Sequence, residues 1–309
     1  MLVARPRGFC AGVERAIATV EHLLAAQEGT LYVRKEIVHN RAVVDEFVRR
    51  GVIFVDELDE VPDGGSVVFS AHGVSPAVRE DATHRGLRVV DATCPLVTKV
   101  HRQVARNVSQ GRHILLIGHE GHDEVVGTMG EAPGNITLVT GEQDAAKLEI
   151  PADKDLYYVT QTTLSVDETD GIVEALKRRR PDMAGPQHSD ICYATQNRQD
   201  AVKSLVAVGI EHLLVVGSSN SSNSMRLCEV ARKSGVPADL VGGVSELPRA
   251  ELSRAVKVGL TAGASAPEYL VEEIVAHFRA DGWEYREHVV MEEDIKFDLP
   301  AELRGKHDS

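Results

Sequence analysis

Short runs of aliphatic and β-branched residues alternate along this chain with longer stretches whose apolar positions recur at helical spacing. The short runs occupy 67–69, 114–117, 156–159, 213–216 and 256–260. The helical stretches cover 13–26, 41–50, 76–85, 96–110, 167–179, 199–208, 225–234 and 268–280. Strands separated by amphipathic helices predict parallel α/β units.

The segments that follow the strands are equally regular. They read Val38-His39-Asn40, Ser70-Ala71-His72-Gly73, Gly118-His119-Glu120-Gly121-His122-Asp123-Glu124 and Thr160-Gln161-Thr162-Thr163. Then come the Gly-Ser-Ser-Asn-Ser-Ser-Asn-Ser loop at 217–224 and Thr261-Ala262-Gly263-Ala264-Ser265. Open parallel sheets bind ligands at the carboxyl ends of their strands, so chemistry is expected in these loops. Cysteines fall into step with them: two loops precede Cys94, two more precede Cys192, and Cys10 stands near the N-terminus. The expectation is three similar α/β units in permuted order, with one cysteine apiece. Their bounds are 13–95, 96–190, and 1–12 joined with 191–285, leaving 286–309 as a tail of one strand and a polar end.

The chain of 309 residues, 43% of them hydrophobic, is large enough for such a core. Its net charge of −13 argues against nucleic acid as a partner, which needs a basic face. No apolar stretch approaches membrane-spanning length, and the first residues lack a signal-peptide pattern. The expectation is a cytoplasmic protein with no membrane partner. A disulfide framework is not expected there. The absence of a Cys-x-x-Cys pair gives no support to a zinc ribbon or thioredoxin-like motif.

An isolated cysteine is ordinarily a small buried hydrophobe, and Cys228, inside a helical stretch, fits that reading. Cys10, Cys94 and Cys192 share a place beside polar strand-end loops, which points to thiolate ligation of zinc or an iron–sulfur centre. Three protein ligands leave one position open, as a catalytic centre requires. His39, His72, His119 and His122 exceed what one metal needs besides three thiolates. With the loop hydroxyls they are assigned to an anionic substrate. The 217–224 loop opens a helix whose N-terminus suits phosphate, although a plain Ser/Asn cap gives the same pattern.

The longer motifs resemble one family. Pro6-Arg7-Gly8-Phe9-Cys10-Ala11-Gly12-Val13, Asp91-Ala92-Thr93-Cys94-Pro95 and Gly127-Thr128-Met129-Gly130 are similar to segments of the 4-hydroxy-3-methylbut-2-enyl diphosphate reductases. So are Gln161-Thr162-Thr163-Leu164-Ser165, Asp190-Ile191-Cys192-Tyr193-Ala194-Thr195 and Ala264-Ser265-Ala266-Pro267, and the likeness runs in order from residue 1 to about 300. The resemblance implies reductive dehydroxylation of that diphosphate to isopentenyl and dimethylallyl diphosphates, ending the non-mevalonate pathway. It also implies a pseudo-threefold trefoil of three parallel-sheet α/β units around a central 4Fe–4S cluster. Cys10, Cys94 and Cys192 then hold the cluster, and its open iron takes the substrate hydroxyl. By the same resemblance His39, His72, Ser221, Ser222, Asn223 and Ser265 hold the diphosphate, with His122 and Thr163 nearby. Thr162 orients the hydroxyl and Glu124 supplies protons. Two features depart from the pattern: Asp123 stands where some relatives carry proline, and Cys228 is an additional thiol.

Elementary chemistry supports the same assignment. Breaking a carbon–oxygen bond releases hydroxide unless an acid protonates it, so a carboxyl is required near the leaving oxygen. Adjacent side chains of an extended loop point opposite ways, so only one of Asp123 and Glu124 is expected to face the substrate. No flavin or nicotinamide fingerprint occurs, so electrons are expected from a ferredoxin or flavodoxin. Two other readings remain at this stage. A zinc hydrolase using the three cysteines is colourless and stable in air, unlike a cluster protein. A non-catalytic iron–sulfur sensor needs no carboxyl and hydroxyl around its open position.

Overall fold

The strands run, in chain order, β1 (Leu2–Arg5), β2 (Leu31–Arg34), β3 (Ile53–Val55), β4 (Ser66–Phe69), β5 (Arg88–Asp91) and β6 (His113–Ile117). They continue with β7 (Ile136–Val139), β8 (Leu156–Thr160), β9 (His212–Val216), β10 (Ala238–Val241), β11 (Val258–Ala262) and β12 (Arg286–Val289). These come from a computed structural model that describes residues 1–26, 29–149 and 153–304. Residues 27–28 and 150–152 of the expected units, and 305–309 of the expected tail, lie outside the described residues.

The chain divides into two units. The first comprises Met1–Val13, His39–Asp45 and Tyr193–Lys296. It holds a five-stranded sheet of order β10-β9-β11-β1-β12, parallel throughout. Both β9 and β11 are buried at every position, as strands covered on both faces of a parallel sheet are. Successive side chains then serve opposite faces. Val3, Leu214, Val216 and Leu260 pack with Leu270, Val271 and Ile274 of the helix Glu268–Ala280. Ala4, Leu213 and Val215 pack with Ala201, Val202 and Leu205 of Tyr193–Ala207 and with Leu227 and Cys228 of Ser222–Lys233. Cys228 is 1% exposed, a core side chain whose thiol burial pushes up to about 12.

The second unit comprises Glu14–Val38, Glu46–Cys192 and the described residues from Phe297 onward. It contains a four-stranded sheet, β3-β2-β4-β5, and a three-stranded sheet, β7-β6-β8, both parallel. In β6 the alternation is clear. Ile114 and Leu116 meet Val100 and Val104 of the helix Pro95–Ser109. Leu115 and Ile117 meet Ile172 and Leu176 of the helix Val166–Arg179.

The expected α/β class, with three parallel-sheet units, is therefore the observed one. Two helices begin earlier than their apolar spacing indicates: 199–208 becomes Tyr193–Ala207, and 225–234 becomes Ser222–Lys233. Asp123 and Glu124, expected in the strand-end loop 118–124, instead open the short helix Asp123–Met129, whose start is capped by His122. No helix among the described residues is long and apolar enough to cross a membrane.

Because strands within a sheet run parallel, their carboxyl ends share an edge. In the first unit β1, β9 and β11 lead to Cys10, the Ser221–Asn223 turn and Ser265. In the second, β4 and β5 lead to His72 and Cys94, and β6 and β8 lead to His122, Glu124 and Thr162.

Candidate active site

In the first unit the strand-end loops are bonded to one another. Cys10, directly before the helix Ala11–Ala26, donates its N–H to the Ala264 carbonyl at 3.2 Å. Ala264 donates its own N–H to Asn223 Oδ1 at 2.8 Å, and Asn223 Nδ2 reaches Thr195 Oγ1 at 3.2 Å. Ser265 Oγ donates to the His39 carbonyl at 2.9 Å and lies 3.4 Å from Ser221 Oγ. Ser221 caps the helix Ser222–Lys233, accepting the N–H of Ser224. A serine here satisfies a donor the helix itself leaves open. Ser221, Asn223 and Ser265 are buried, while Cys10, His39 and Ser222 are half-buried.

A second chain of bonds runs through the other unit. Cys94 stands at the cap position of Pro95–Ser109, and the proline that follows is pre-set for a first helical turn. The Cys94 N–H is held by the Ala71 carbonyl at 3.0 Å, beside His72. The rings of His72 and His122 meet edge to face, 5.9 Å between centroids. His122 Nδ1 accepts the Glu124 N–H at 3.2 Å. Glu124 is 3% exposed. Its Oε1 accepts the Thr162 N–H at 2.6 Å and its Oε2 the Thr162 hydroxyl at 3.0 Å. The Thr162 carbonyl accepts the N–H of Cys192 at 2.9 Å. Thr163 Oγ1 takes Gln161 Nε2 at 2.9 Å, while Gln161 Oε1 takes the His119 N–H at 3.0 Å. Gln161 is thus a loop-fixing residue to which the sequence pattern alone assigns no role, its one signal being its place inside a strand-end motif.

Burial pushes the Glu124 carboxyl up to about 7, and the two bonds from Thr162 pull it back part of the way. A group near neutrality can hold and release a proton at working pH. Its neighbour Asp123 does not lie in an extended loop. Asp123 and Glu124 open a helix, where consecutive residues are turned by about 100°. The choice between them is made by burial instead: Glu124 points inward, and Asp123 is half-buried.

Gly73 lets these loops approach. Its φ is +84°, and a Cβ there would meet His101 Cε1 at 3.0 Å and Thr93 Cγ2 at 3.2 Å. On the other side, a Cβ on Gly127 would meet the Gly73 carbonyl oxygen at 3.1 Å. Gly73→Ala is expected to cost about 1–3 kcal/mol through left-handed backbone and crowding together. Thermal melts of the variant and the parent check this.

Cys10, Cys94 and Cys192 each stand immediately before a helix and are half-buried, whereas Cys228 is walled into the core. A helix N-terminus favours an anionic ligand atom, so the three placed there are suited to bind metal as thiolates and the fourth is not. Soft sulfur donors of this kind fit an iron–sulfur group.

Thiols at helix starts, a buried carboxyl near neutrality and hydroxyl-rich strand ends are the equipment of a parallel α/β oxidoreductase that handles an anion. The family model described as LytB protein matches residues 1–279. The 4-hydroxy-3-methylbut-2-enyl diphosphate reductase of Xanthomonas campestris pv. campestris is 54% identical over 310 residues, covering 98% of each chain. That of Glaesserella parasuis serovar 5 is 53% identical over 308 residues, again covering 98% of each. Among solved structures, the E-1-hydroxy-2-methyl-but-2-enyl-4-diphosphate reductase of Plasmodium falciparum superposes with a TM-score of 0.94 at 40% identity. It covers 98% of this chain and 96% of its own. A structure of (E)-4-hydroxy-3-methyl-but-2-enyl diphosphate reductase, described as the terminal enzyme of the non-mevalonate pathway, gives a TM-score of 0.65 at 29% identity. It covers 90% of this chain and 98% of its own. The chain belongs to the LytB family of 4-hydroxy-3-methylbut-2-enyl diphosphate reductases, which are iron–sulfur enzymes.

Proposed function

We propose that this protein reductively dehydroxylates 4-hydroxy-3-methylbut-2-enyl diphosphate to isopentenyl and dimethylallyl diphosphates. Cys10, Cys94 and Cys192 hold a 4Fe–4S cluster, which when bound supplies electrons and a Lewis-acidic metal position. The electrons arrive one at a time from a ferredoxin or flavodoxin. The observation that carries this reading is the clasp of Glu124 by Thr162, whose carbonyl in turn holds the N–H of Cys192. It supports a proton source set one residue away from a metal ligand.

The remaining steps belong to the chain's own groups. Loss of the allylic hydroxyl as water consumes one proton, and forming the new carbon–hydrogen bond consumes another. Glu124 delivers a proton at Oε2, and the Thr162 hydroxyl bonded to that oxygen orients the departing group. His122, whose Nδ1 fixes the start of the Glu124 helix, keeps the carboxyl aimed. His39, His72, Ser221, Ser222, Asn223 and Ser265 grip the diphosphate, with His122 and Thr163 beside them. The hydroxyls at the start of Ser222–Lys233 support this assignment, since free N–H groups and the helix dipole favour phosphate there.

Anaerobically purified protein with a brown colour, bound iron and sulfide, and turnover of the diphosphate under an artificial one-electron reductant is the expected result. A colourless, air-stable protein lacking that turnover overturns it. His39→Ala and Ser222→Ala are each expected to raise KM roughly ten- to hundredfold at unchanged iron content, the usual loss for hydrogen bonds to a charged group. The free alcohol should be a correspondingly poor substrate, and equal turnover of alcohol and diphosphate counts against the assignment.

A further inference from the structure

Each cysteine is followed, five or six residues into its helix, by a cation: Cys10 by Arg15, Cys94 by Lys99 and Cys192 by Arg198. Each cation reaches back to the loop ahead of a different cysteine. Arg15 Nη1 donates to the Thr93 carbonyl at 2.9 Å and Nη2 to that of Asp91 at 3.4 Å, directly before Cys94. Lys99 Nζ lies 3.3 Å from Asp190 Oδ1, two residues before Cys192, and Gln103 of the same helix donates to that oxygen at 2.7 Å. Arg198 Nη2 donates to the carbonyls of Gly8 at 2.7 Å and Phe9 at 3.4 Å, directly before Cys10. The relation is cyclic: the helix after one cysteine holds the approach to the next.

The geometry points to Arg198, Arg15 and Lys99 as one set of positioning residues that fix the three cysteine loops for metal ligation. This inference rests on the proposed role of the cysteines.

The case is strongest at Cys10. The peptide groups on either side of it are all anchored. The carbonyls of Gly8 and Phe9 go to Arg198, the N–H of Cys10 goes to Ala264, and the N–H of Ala11 goes to the Tyr193 hydroxyl at 3.2 Å. Two of these partners, Tyr193 and Arg198, lie on the helix that begins directly after Cys192. Arg198 is fully buried, which an arginine tolerates only with a counter-charge and filled donors. Glu293, in the segment after β12, supplies the charge at 3.0 Å from Nη1. The backbone around Cys10 therefore cannot shift without breaking charge-assisted bonds away from water. At Asp190 the hold is looser: Oδ2 is buried without a hydrogen-bond partner, and Lys99 is itself exposed.

Groups that orient a metal's ligands typically alter metal affinity 10- to 100-fold when replaced. Arg198→Lys, Arg15→Gln and Lys99→Met are therefore expected to speed the loss of iron to a chelator. The effect should be largest at Arg198 and smallest at Lys99, and about 10- to 100-fold for the arginines. In cluster-free protein, Arg198→Lys should also reduce hydrogen-exchange protection of the Cys10 and Ala11 amides. Leu205→Ala, on the Arg198 helix but away from the loop, supplies a control of lowered melting temperature. Glu293→Gln, which keeps the shape and removes the counter-charge, serves if Arg198→Lys does not fold, and should give the same fast iron loss. Parental iron retention in both Arg198→Lys and Glu293→Gln overturns the proposal. So does equally fast loss from the Leu205→Ala control. If the parent itself holds no iron, the cysteine assignment falls first and this inference with it. If the parent holds iron and the cation variants hold it as tightly, only this inference falls.

Discussion

Replacing Cys10, Cys94 or Cys192 by serine is expected to lower bound iron and sulfide by about tenfold or more, and Cys228→Ser is expected to leave both unchanged. Serine keeps the size of the side chain and removes the soft anionic donor. The first three positions share a half-buried place at the start of a helix, where negative charge is favoured. Cys228 instead packs against Leu213, Val215 and Leu227 in the five-stranded sheet's core. Burial holds its thiol protonated, so it is a poor metal donor at neutral pH. Losing it costs packing alone, and the readout is a modest fall in melting temperature. The measurement is iron and sulfide per chain on anaerobically purified variants, with electron paramagnetic resonance of the reduced samples. Parental iron in any of the first three, or loss of iron in the fourth, shows the ligand set to be wrong.

Glu124→Gln is expected to reduce turnover about 10²–10⁴-fold, the usual share of general acid catalysis, with little change in iron content. The side chain keeps its shape and loses its proton. The pH dependence gives a second handle. Burial raises the Glu124 carboxyl from its ordinary 4.5 to about 7, so folding takes up a proton here. The acid form needed for proton delivery is present below that value, and the limb of the activity profile controlled by Glu124 declines as pH rises through about 7. Stability follows the same sign. The contribution of the protonated carboxyl is complete below 4.5 and is lost as pH rises through about 7. Glu124→Gln should flatten that limb and its counterpart in the melting curve, whereas Asp123→Asn should retain both. A nearly active Glu124 variant beside an inactive Asp123 variant reverses the assignment.

Much of this was legible in the chain because parallel strands advertise themselves. The runs at 114–117 and 213–216 are buried on both faces, so no polar residue interrupts them. Their carboxyl ends share an edge for topological reasons, which is why the proposed site residues His72, Glu124, Thr162, Ser221 and Ser265 all come from strand-end loops. What stayed hidden is equally physical. Apolar spacing starts the helix Tyr193–Ala207 at 199, because its first turns carry Thr195, Gln196, Asn197 and Arg198, which have the composition of a loop. Arg198 is polar because it serves backbone carbonyls of the Cys10 loop, a task that leaves no periodic trace. Asp123–Met129 escaped for a different reason: two turns of helix are too short for apolar periodicity to declare itself.

The placement of β1 orders assembly in time. That strand lies between β11 and β12, and its pairing of Leu2 with Gly259 spans more than 250 residues of chain. On the ribosome, Cys10 emerges long before either neighbour of its strand exists, while the strands that lead to Cys94 can pair as soon as residues 31–91 are out. The thiol made first is therefore the one seated last. A chain still being synthesised has Cys10 on an unpaired segment, so on the proposed ligand set its thiol is seated for iron and sulfide only once β11 and β12 have been made.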